Sequence, residues 1–220
     1  MKRYIFIHPT KCGGTAIKSF FMKVYPYHTI DTNIMGSYPP VESAHHTACK
    51  DYENPVIIIR DPVDRFISMF KYWKSGAITF TDWSNISRTR IREQGFIEKY
   101  KNYTIKDFIS LLKKKDKCLY VKFTFPIHYE SYFYWIKPED YSKTIVIKYC
   151  EDLNSKLPEI LEALEIQSVN KDMEKINISK NSETIRLDDE DIKYIKTVYK
   201  YDFELWDNIN NNPTIFKRVV

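Results

Sequence analysis

Three features of the sequence predict an α/β fold with a central parallel sheet. Three short apolar runs rich in β-branched or aromatic residues occur, at 4–8, 56–59 and 144–149. Each is followed by a polar turn and then by apolar residues at helical spacing. No internal repeat or low-complexity linker interrupts the alternation. Strands that alternate with helices build parallel sheets, because a parallel pair needs a crossover connection. A chain of 220 residues predicts a single domain over residues 1–220.

The elements follow in order. Tyr4 to His8 is short enough for a buried strand. The turn after it, from Pro9 to Thr15, holds two of the five glycines of the chain. Ala16, Ile17, Phe20, Phe21 and Val24 then recur with helical period. Residues 25–44 read as an irregular connection, and Thr47 to Tyr52 as a short helix. Val56 to Ile59 is the second strand. Asp61 suits an N-cap and Pro62 the first helical position, where its missing N–H costs nothing. Phe66, Met69, Phe70 and Trp73 mark the apolar face of the helix that follows.

Residues 75–103 have poor periodicity. Thr104 and Asp107 have capping-box spacing, and Ile105, Phe108, Ile109 and Leu112 give a helix behind them. The Lys113-Lys114-Lys115 run reads as its solvated end. Phe123 to Trp135 is ambiguous between loop and helix, and Thr144 to Tyr149 is the third strand. Leu157, Ile160, Leu161 and Leu164 mark a further helix. Ile192, Ile195 and Tyr199 mark the last long one, opened by the acidic stretch Asp188 to Asp191.

Composition excludes several classes. Hydrophobic residues are 43% and charged residues 29%, a globular balance rather than a disordered one. The net charge of +5 fits an anionic ligand but not a nucleic-acid coat. No run approaches the ~20 apolar residues of a membrane span. The N-terminus does not resemble a signal peptide, so a cytoplasmic protein is expected, or a lumenal Golgi protein if the chain is truncated. Cys12, Cys49, Cys118 and Cys150 form no zinc-spaced set, so reduced thiols and no metal are expected.

The first strand-turn-helix has the ingredients of an anion site. Gly13 and Gly14 permit close backbone approach, and a helix N-terminus presents free N–H groups. Lys11 adds a charge and Thr15 a hydroxyl. The plainer reading is a tight βα turn with a stray lysine. The loop is not of the GxxxxGK[ST] type, because Lys11 precedes the glycines. In the second unit Arg60 ends a strand, where open α/β sheets bind ligands. Ser68 lies in the following helix, and the two could grip one phosphate. The plainer reading there is a loop salt bridge, with Asp61 and Arg65 as a further pair.

Taken together, the two motifs carry a family resemblance. Phe6-Ile7-His8-Pro9-Thr10-Lys11-Cys12-Gly13-Gly14-Thr15 resembles the 5′-phosphosulfate loop of sulfotransferases, often PK[TC]GGT[ST]. Ile59-Arg60-Asp61-Pro62-Val63-Asp64-Arg65-Phe66-Ile67-Ser68 resembles their 3′-phosphate motif, RdPxxRxxS. Val146 to Leu153 is similar to the family's "vvryEdL" strand end, and Tyr199 to Trp206 to its C-terminal "lYxxDfelf". The subgroup most resembled is the carbohydrate type, which includes heparan-sulfate 2-O-sulfotransferase-like and chondroitin-sulfotransferase-like enzymes. One departure is Thr10, which separates Pro9 from Lys11.

The resemblance implies a P-loop-like three-layer fold. It implies 3′-phosphoadenosine 5′-phosphosulfate (PAPS) as sulfuryl donor and a hydroxyl, of a carbohydrate, as acceptor. Lys11 would stabilise the leaving phosphate oxygen. Cys12, Gly13, Gly14 and Thr15 would form the phosphosulfate cradle, and Arg60 with Ser68 would clamp the 3′-phosphate. Ala44-His45-His46-Thr47-Ala48 is similar to the "GHxxf" stretch that carries the proposed base, which makes His45 the base and His46 its alternative. Arg88 and Arg90, in a variable region at about 75–135, are candidate acceptor contacts or, on the plainer reading, a solvated face; His128 is a further candidate contact there, and Asn177, Ser179 and Lys180 a candidate closing loop. Two rivals stay open at this level. One is a kinase on a related fold; the other is a non-catalytic PAPS-binding module.

Overall fold

The computed structural model describes residues 4–7, 9, 11–14, 16–17, 20, 30–31, 55–74, 102–114, 131–132, 135–136, 138–149, 152–165, 184–210 and 216–218. The α/β class is observed. Among the described residues the sheet has five strands: β1 (Tyr4–Ile7), β2 (Ile30–Asp31), β3 (Pro55–Ile59), β4 (Ile145–Lys148) and β5 (Phe216–Arg218). Their spatial order is β2-β1-β3-β4-β5. The pairs β1–β2, β1–β3 and β3–β4 are parallel, with Ile7 opposite Ile57 and Ile57 opposite Val146. Among the described strands β5 alone runs antiparallel, paired with β4 on the side away from β3.

Two of these strands correct the sequence reading. Ile30–Asp31 lies in the stretch taken as irregular, and Phe216–Arg218 was not expected at all. Both are short edge strands. They are strands because a neighbour offers ladder partners, not because their own pattern demands it. The third strand is also shorter than 144–149, at Ile145–Lys148.

Five α-helices have defined bounds: α1 (Pro62–Lys74), α2 (Ile105–Lys113), α3 (Leu157–Ala163), α4 (Asp189–Val198) and α5 (Lys200–Asn210). The described residues between Gly14 and Phe20 are helical too, directly after the glycine turn. A 3-10 helix, Pro138–Lys143, leads into β4. The acidic-capped helix is not the last, because the chain breaks at Tyr199 and resumes as α5.

The described chain divides into two compact units. The first comprises residues 1–61, 131–178 and 200–220. It holds the sheet, α3 and α5. Every residue of β3 is buried, as are Phe6, Ile7, Ile145, Val146 and Ile147, which is the continuous apolar pattern of a two-sided parallel sheet. Leu157, Ile160, Leu161 and Leu164 are the buried face of α3, and Leu205 and Ile209 that of α5.

The second unit comprises residues 62–130 and 179–199, and holds α1, α2 and α4. Its interior is aromatic. Phe66 and Phe70 of α1 pack on Phe108 of α2 at centroid distances of 5.7 and 5.5 Å, and Tyr199 meets Phe66 edge-on at 6.2 Å. The expected capping box forms: Thr104 and Asp107 exchange side-chain and backbone bonds, and Asp188, in the stretch read only as acidic, makes a second box with Asp191. Lys106 pairs with Asp188, which joins the first turns of α2 and α4. Lys113 and Lys114 are exposed at the end of α2, and the Lys113 ammonium sits 5.0 Å from the Tyr194 ring.

Candidate anion site at the sheet edge

The strand order places one point of the sheet apart from the rest. From β1 the chain steps outward to β2, then returns to the other side of β1 as β3. The carboxyl ends of β1 and β3 thus form the switch point where open α/β sheets leave a crevice for ligands. The turn Lys11–Gly14 follows β1, and Arg60 follows β3.

The turn is bent by two left-handed residues, Gly13 at φ 74° and Lys11 at φ 65°. At Gly13 the conformation needs glycine for a second reason. A Cβ there would lie 2.5 Å from Cε2 and 2.7 Å from Cδ2 of Tyr149, inside contact distance. The Cδ2–Cε2 edge of the Tyr149 ring therefore lies close against the turn at Gly13. The helix starts at once, with the Ala16 N–H bonded to the Gly13 carbonyl at 3.1 Å. A helix start leaves its first amides without intrahelical acceptors, so they are available to an anion.

Lys11 is different. A lysine in the left-handed region costs about 1–2 kcal/mol. The other described non-glycine residue with positive φ, Glu165, follows the end of α3, where left-handed residues commonly terminate helices. Lys11 ends no helix. Its ammonium is largely buried, and its pKa is pushed down to about 8 by that burial first and by the nearby Arg60 charge second, with Cys12 opposing.

Arg60 supplies the second cation. Its guanidinium carbon sits 4.9 Å from the centre of the Tyr149 ring, the same ring that abuts Gly13. Its Nε is buried and has no hydrogen-bond partner among the described residues. The Tyr149 N–H donates to the Ile59 carbonyl at 2.7 Å, which continues the β3–β4 ladder past the last paired residues.

Behind the cations stands Tyr132, fully buried. Its hydroxyl accepts from the Arg60 N–H at 2.7 Å, donates to the Arg60 carbonyl at 2.8 Å and lies 3.2 Å from the Cys12 sulfur. The Tyr132 N–H donates to the carboxylate of Asp202 at 2.8 Å, and the Ser131 hydroxyl donates to the same oxygen. Asp202 lies in α5, within the stretch singled out from Tyr199 to Trp206. Trp206 of that stretch faces the Lys148 ammonium at 4.6 Å. The two downstream motifs thus meet through Lys148 and Trp206.

Of the expected site residues, Lys11, Cys12, Gly13, Gly14 and Arg60 fall in the first unit, with Lys11, Cys12 and Gly13 gathered about Arg60 and Tyr149. Ser68 is half-buried on α1, in the second unit. Thr15, His45, His46, Arg88, Arg90 and His128, and the loop residues Asn177, Ser179 and Lys180, lie outside the described residues. Cys12 is a buried thiol outside any disulfide. Trp135 is a core residue. Tyr132, Tyr149 and Asp202 were not singled out for the site by the sequence. For Tyr149 a signal existed: it ends a strand in a motif stretch, where site residues gather.

Among the described residues no helix is long and apolar enough to cross a membrane, and no group of three or more His, Cys, Asp or Glu side chains is placed to hold a metal. No curated protein and no solved structure gives a match. The family model of the sulfotransferases matches residues 4–207, a span that runs from β1 through the Lys11 turn and Arg60 to Trp206, and the chain belongs to the sulfotransferase family.

Proposed function

We propose that this protein transfers a sulfuryl group from PAPS to a hydroxyl of a carbohydrate. Family membership supports sulfuryl transfer in general. The single observation that carries the donor assignment is the pair of cations at the sheet's switch point. Burial and the Arg60 charge both disfavour the Lys11 ammonium, and the Arg60 Nε is buried with no partner among the described residues. A polyanion that reaches both groups would relieve the repulsion and meet the free donor. A nucleotide carrying a 3′-phosphate and a 5′-phosphosulfate has anionic groups at both ends for such a pair.

Each residue then has a chemical task. Sulfuryl transfer needs an acceptor oxygen that loses its proton, in-line approach, and stabilisation of charge growing on the leaving phosphate oxygen. By analogy with phosphoryl transfer through a loose transition state, the protein contributes mainly position and field. Lys11 supplies the field at the leaving oxygen, and its strained backbone fixes the direction of the side chain. Gly13 and Gly14 bring main-chain amides to the 5′ end. Arg60 holds the 3′-phosphate, and the motif adds Ser68. His45 takes the acceptor proton, with His46 as its alternative. Arg88, Arg90 and His128 contact the acceptor. The assignment to carbohydrate rests on the motif resemblance alone.

The test is transfer of labelled sulfate from PAPS to a panel of neutral, acidic and sulfated oligosaccharides. Labelled sugar is the expected result, with turnover at least 100-fold lower in His45→Ala. Retained PAPS binding without transfer to any hydroxyl acceptor would favour the non-catalytic module. Transfer confined to phenols or other small molecules would overturn the carbohydrate assignment.

A further inference from the structure

We propose that Tyr132 is a positioning residue for the anion site. Its hydroxyl clasps the Arg60 main chain and the Cys12 thiol together, and thereby fixes the distance between the two turns that carry the cations. This rests on the donor-site reading given above.

The sheet explains why such a clasp is needed. Successive residues of a strand turn their main-chain groups to alternate neighbours. The Ile59 carbonyl is taken on the β4 side, by Tyr149. The N–H and C=O of Arg60 therefore turn to the β1 side. There β1 has already ended, at Ile7, and its chain leaves for the Lys11 turn. The fork that opens a crevice for a ligand thus removes the ladder partner of Arg60. Buried main-chain groups do not go unpaired without cost. The Tyr132 hydroxyl takes the place of the missing partner by bonding both groups.

The proton count is complete. A phenol has one proton and two acceptor lone pairs. The proton goes to the Arg60 carbonyl, one lone pair takes the Arg60 N–H, and the other takes the proton of Cys12. One atom thereby joins the residue after Lys11 to the residue at the end of β3. The clasp is itself anchored. The Tyr132 N–H is held by buried Asp202, and the Tyr132 carbonyl accepts from Trp135 and Ile136. A rotation or shift of Tyr132 would carry both turns with it.

Tyr132→Phe removes the hydroxyl and keeps the buried ring. The experiment is a double-mutant cycle with Arg60→Ala, read as the Kd of adenosine 3′,5′-bisphosphate by calorimetry. Tyr132→Phe alone is expected to weaken binding about tenfold, because two main-chain groups of Arg60 lose their partner. In the Arg60→Ala background the same change is expected to cost less than about twofold, because the positioned side chain is gone. A residue that merely supports the fold would lower Tm and leave Kd unchanged, or act equally in both backgrounds; either result overturns the proposal. If Tyr132→Phe does not fold, Cys12→Ala enters the same cycle. A roughly threefold weakening that shrinks without Arg60 supports the clasp, and no effect or an undiminished one overturns it. If Arg60→Ala does not affect binding, or if the unaltered protein ignores the bisphosphate, the donor-site reading falls and the clasp with it.

Discussion

The sheet edge and the helical unit follow opposite rules. In the helical unit each local choice agrees with the structure. Thr104 and Asp188 cap the helices that they precede, Phe66, Phe70, Phe108 and Tyr199 share one aromatic interior, and exposed lysines end α2. At the sheet edge the local choices conflict. A lysine adopts a left-handed backbone, an ammonium is largely buried near a guanidinium, and the buried Arg60 Nε has no partner among the described residues. A sequence specifies its fold by consistency between levels, and the exceptions concentrate where function requires them. Stability should therefore reside in the first region and chemistry in the second.

The largest expected effect sharpens the stability side. Phe108→Ala removes the ring on which Phe66 and Phe70 both pack, and should cost about 3–5 kcal/mol in urea unfolding. A loss below about 1 kcal/mol would mean that this interior is not the stabilising one.

Lys11→Gly is the converse. Glycine accepts the backbone at φ 65° without strain, and the largely buried ammonium is removed. Turnover should fall about 10²–10³-fold, the scale of losing one electrostatic group at a transition state. The Tm should hold or rise, as expected where function is maintained against stability. A large drop in Tm would break the comparison, because it would make Lys11 a structural residue.

Gly13→Ala meets both a left-handed backbone and the Tyr149 ring. The cost in stability should be about 2–3 kcal/mol. Because the displaced ring also carries Arg60, affinity for the bisphosphate should fall together with Tm.

A further effect is the pH response. Lys11 titrates near 8, well below a free lysine, because burial and Arg60 disfavour its charge. Between about 8 and the ordinary lysine range the unfolded chain holds a proton that the folded chain has lost. Stability should therefore rise with pH across that window, by at most about 1.4 kcal/mol per unit. Anion affinity has the opposite sign: it needs the charged form, so it should be flat below 8 and fall about tenfold per unit above. Titrations of Tm and Kd between pH 7 and 10 would show whether the two slopes oppose. Parallel slopes would mean that Lys11 does not face the anion.

Much of this was readable from residues alone, and the limit is physical. The strands β1, β3 and β4 announce themselves because a strand buried on both faces is a continuous apolar run. The Thr104 cap announces itself because its bonds span three residues. β2 and β5 do not, because an edge strand of two or three residues is defined by its partner. The break between α4 and α5 carries no Gly or Pro, so the chain reads as one helix through Tyr199. At the site, the glycines and the Lys11 and Arg60 motifs were visible as patterns. The clasp was not. Tyr132 is 72 residues from Arg60 and 120 from Cys12, in an aromatic stretch with no distinguishing period. The left-handed turn at Lys11 was hidden for a related reason: a lysine gives no local sign of the conformation that its surroundings impose.

The central claim is that the two cations at the switch point form a site for a nucleotide with a 3′-phosphate. It is tested most directly by comparing adenosine 3′,5′-bisphosphate, AMP and ATP with Mg²⁺ as stabilisers of the unaltered protein and of Arg60→Ala. The account predicts that the bisphosphate, at 100 times its Kd, stabilises the fold by about 2.7 kcal/mol. It predicts at least tenfold weaker binding of AMP, and loss of that preference in Arg60→Ala. Stabilisation by ATP with Mg²⁺ and none by the bisphosphate would contradict it.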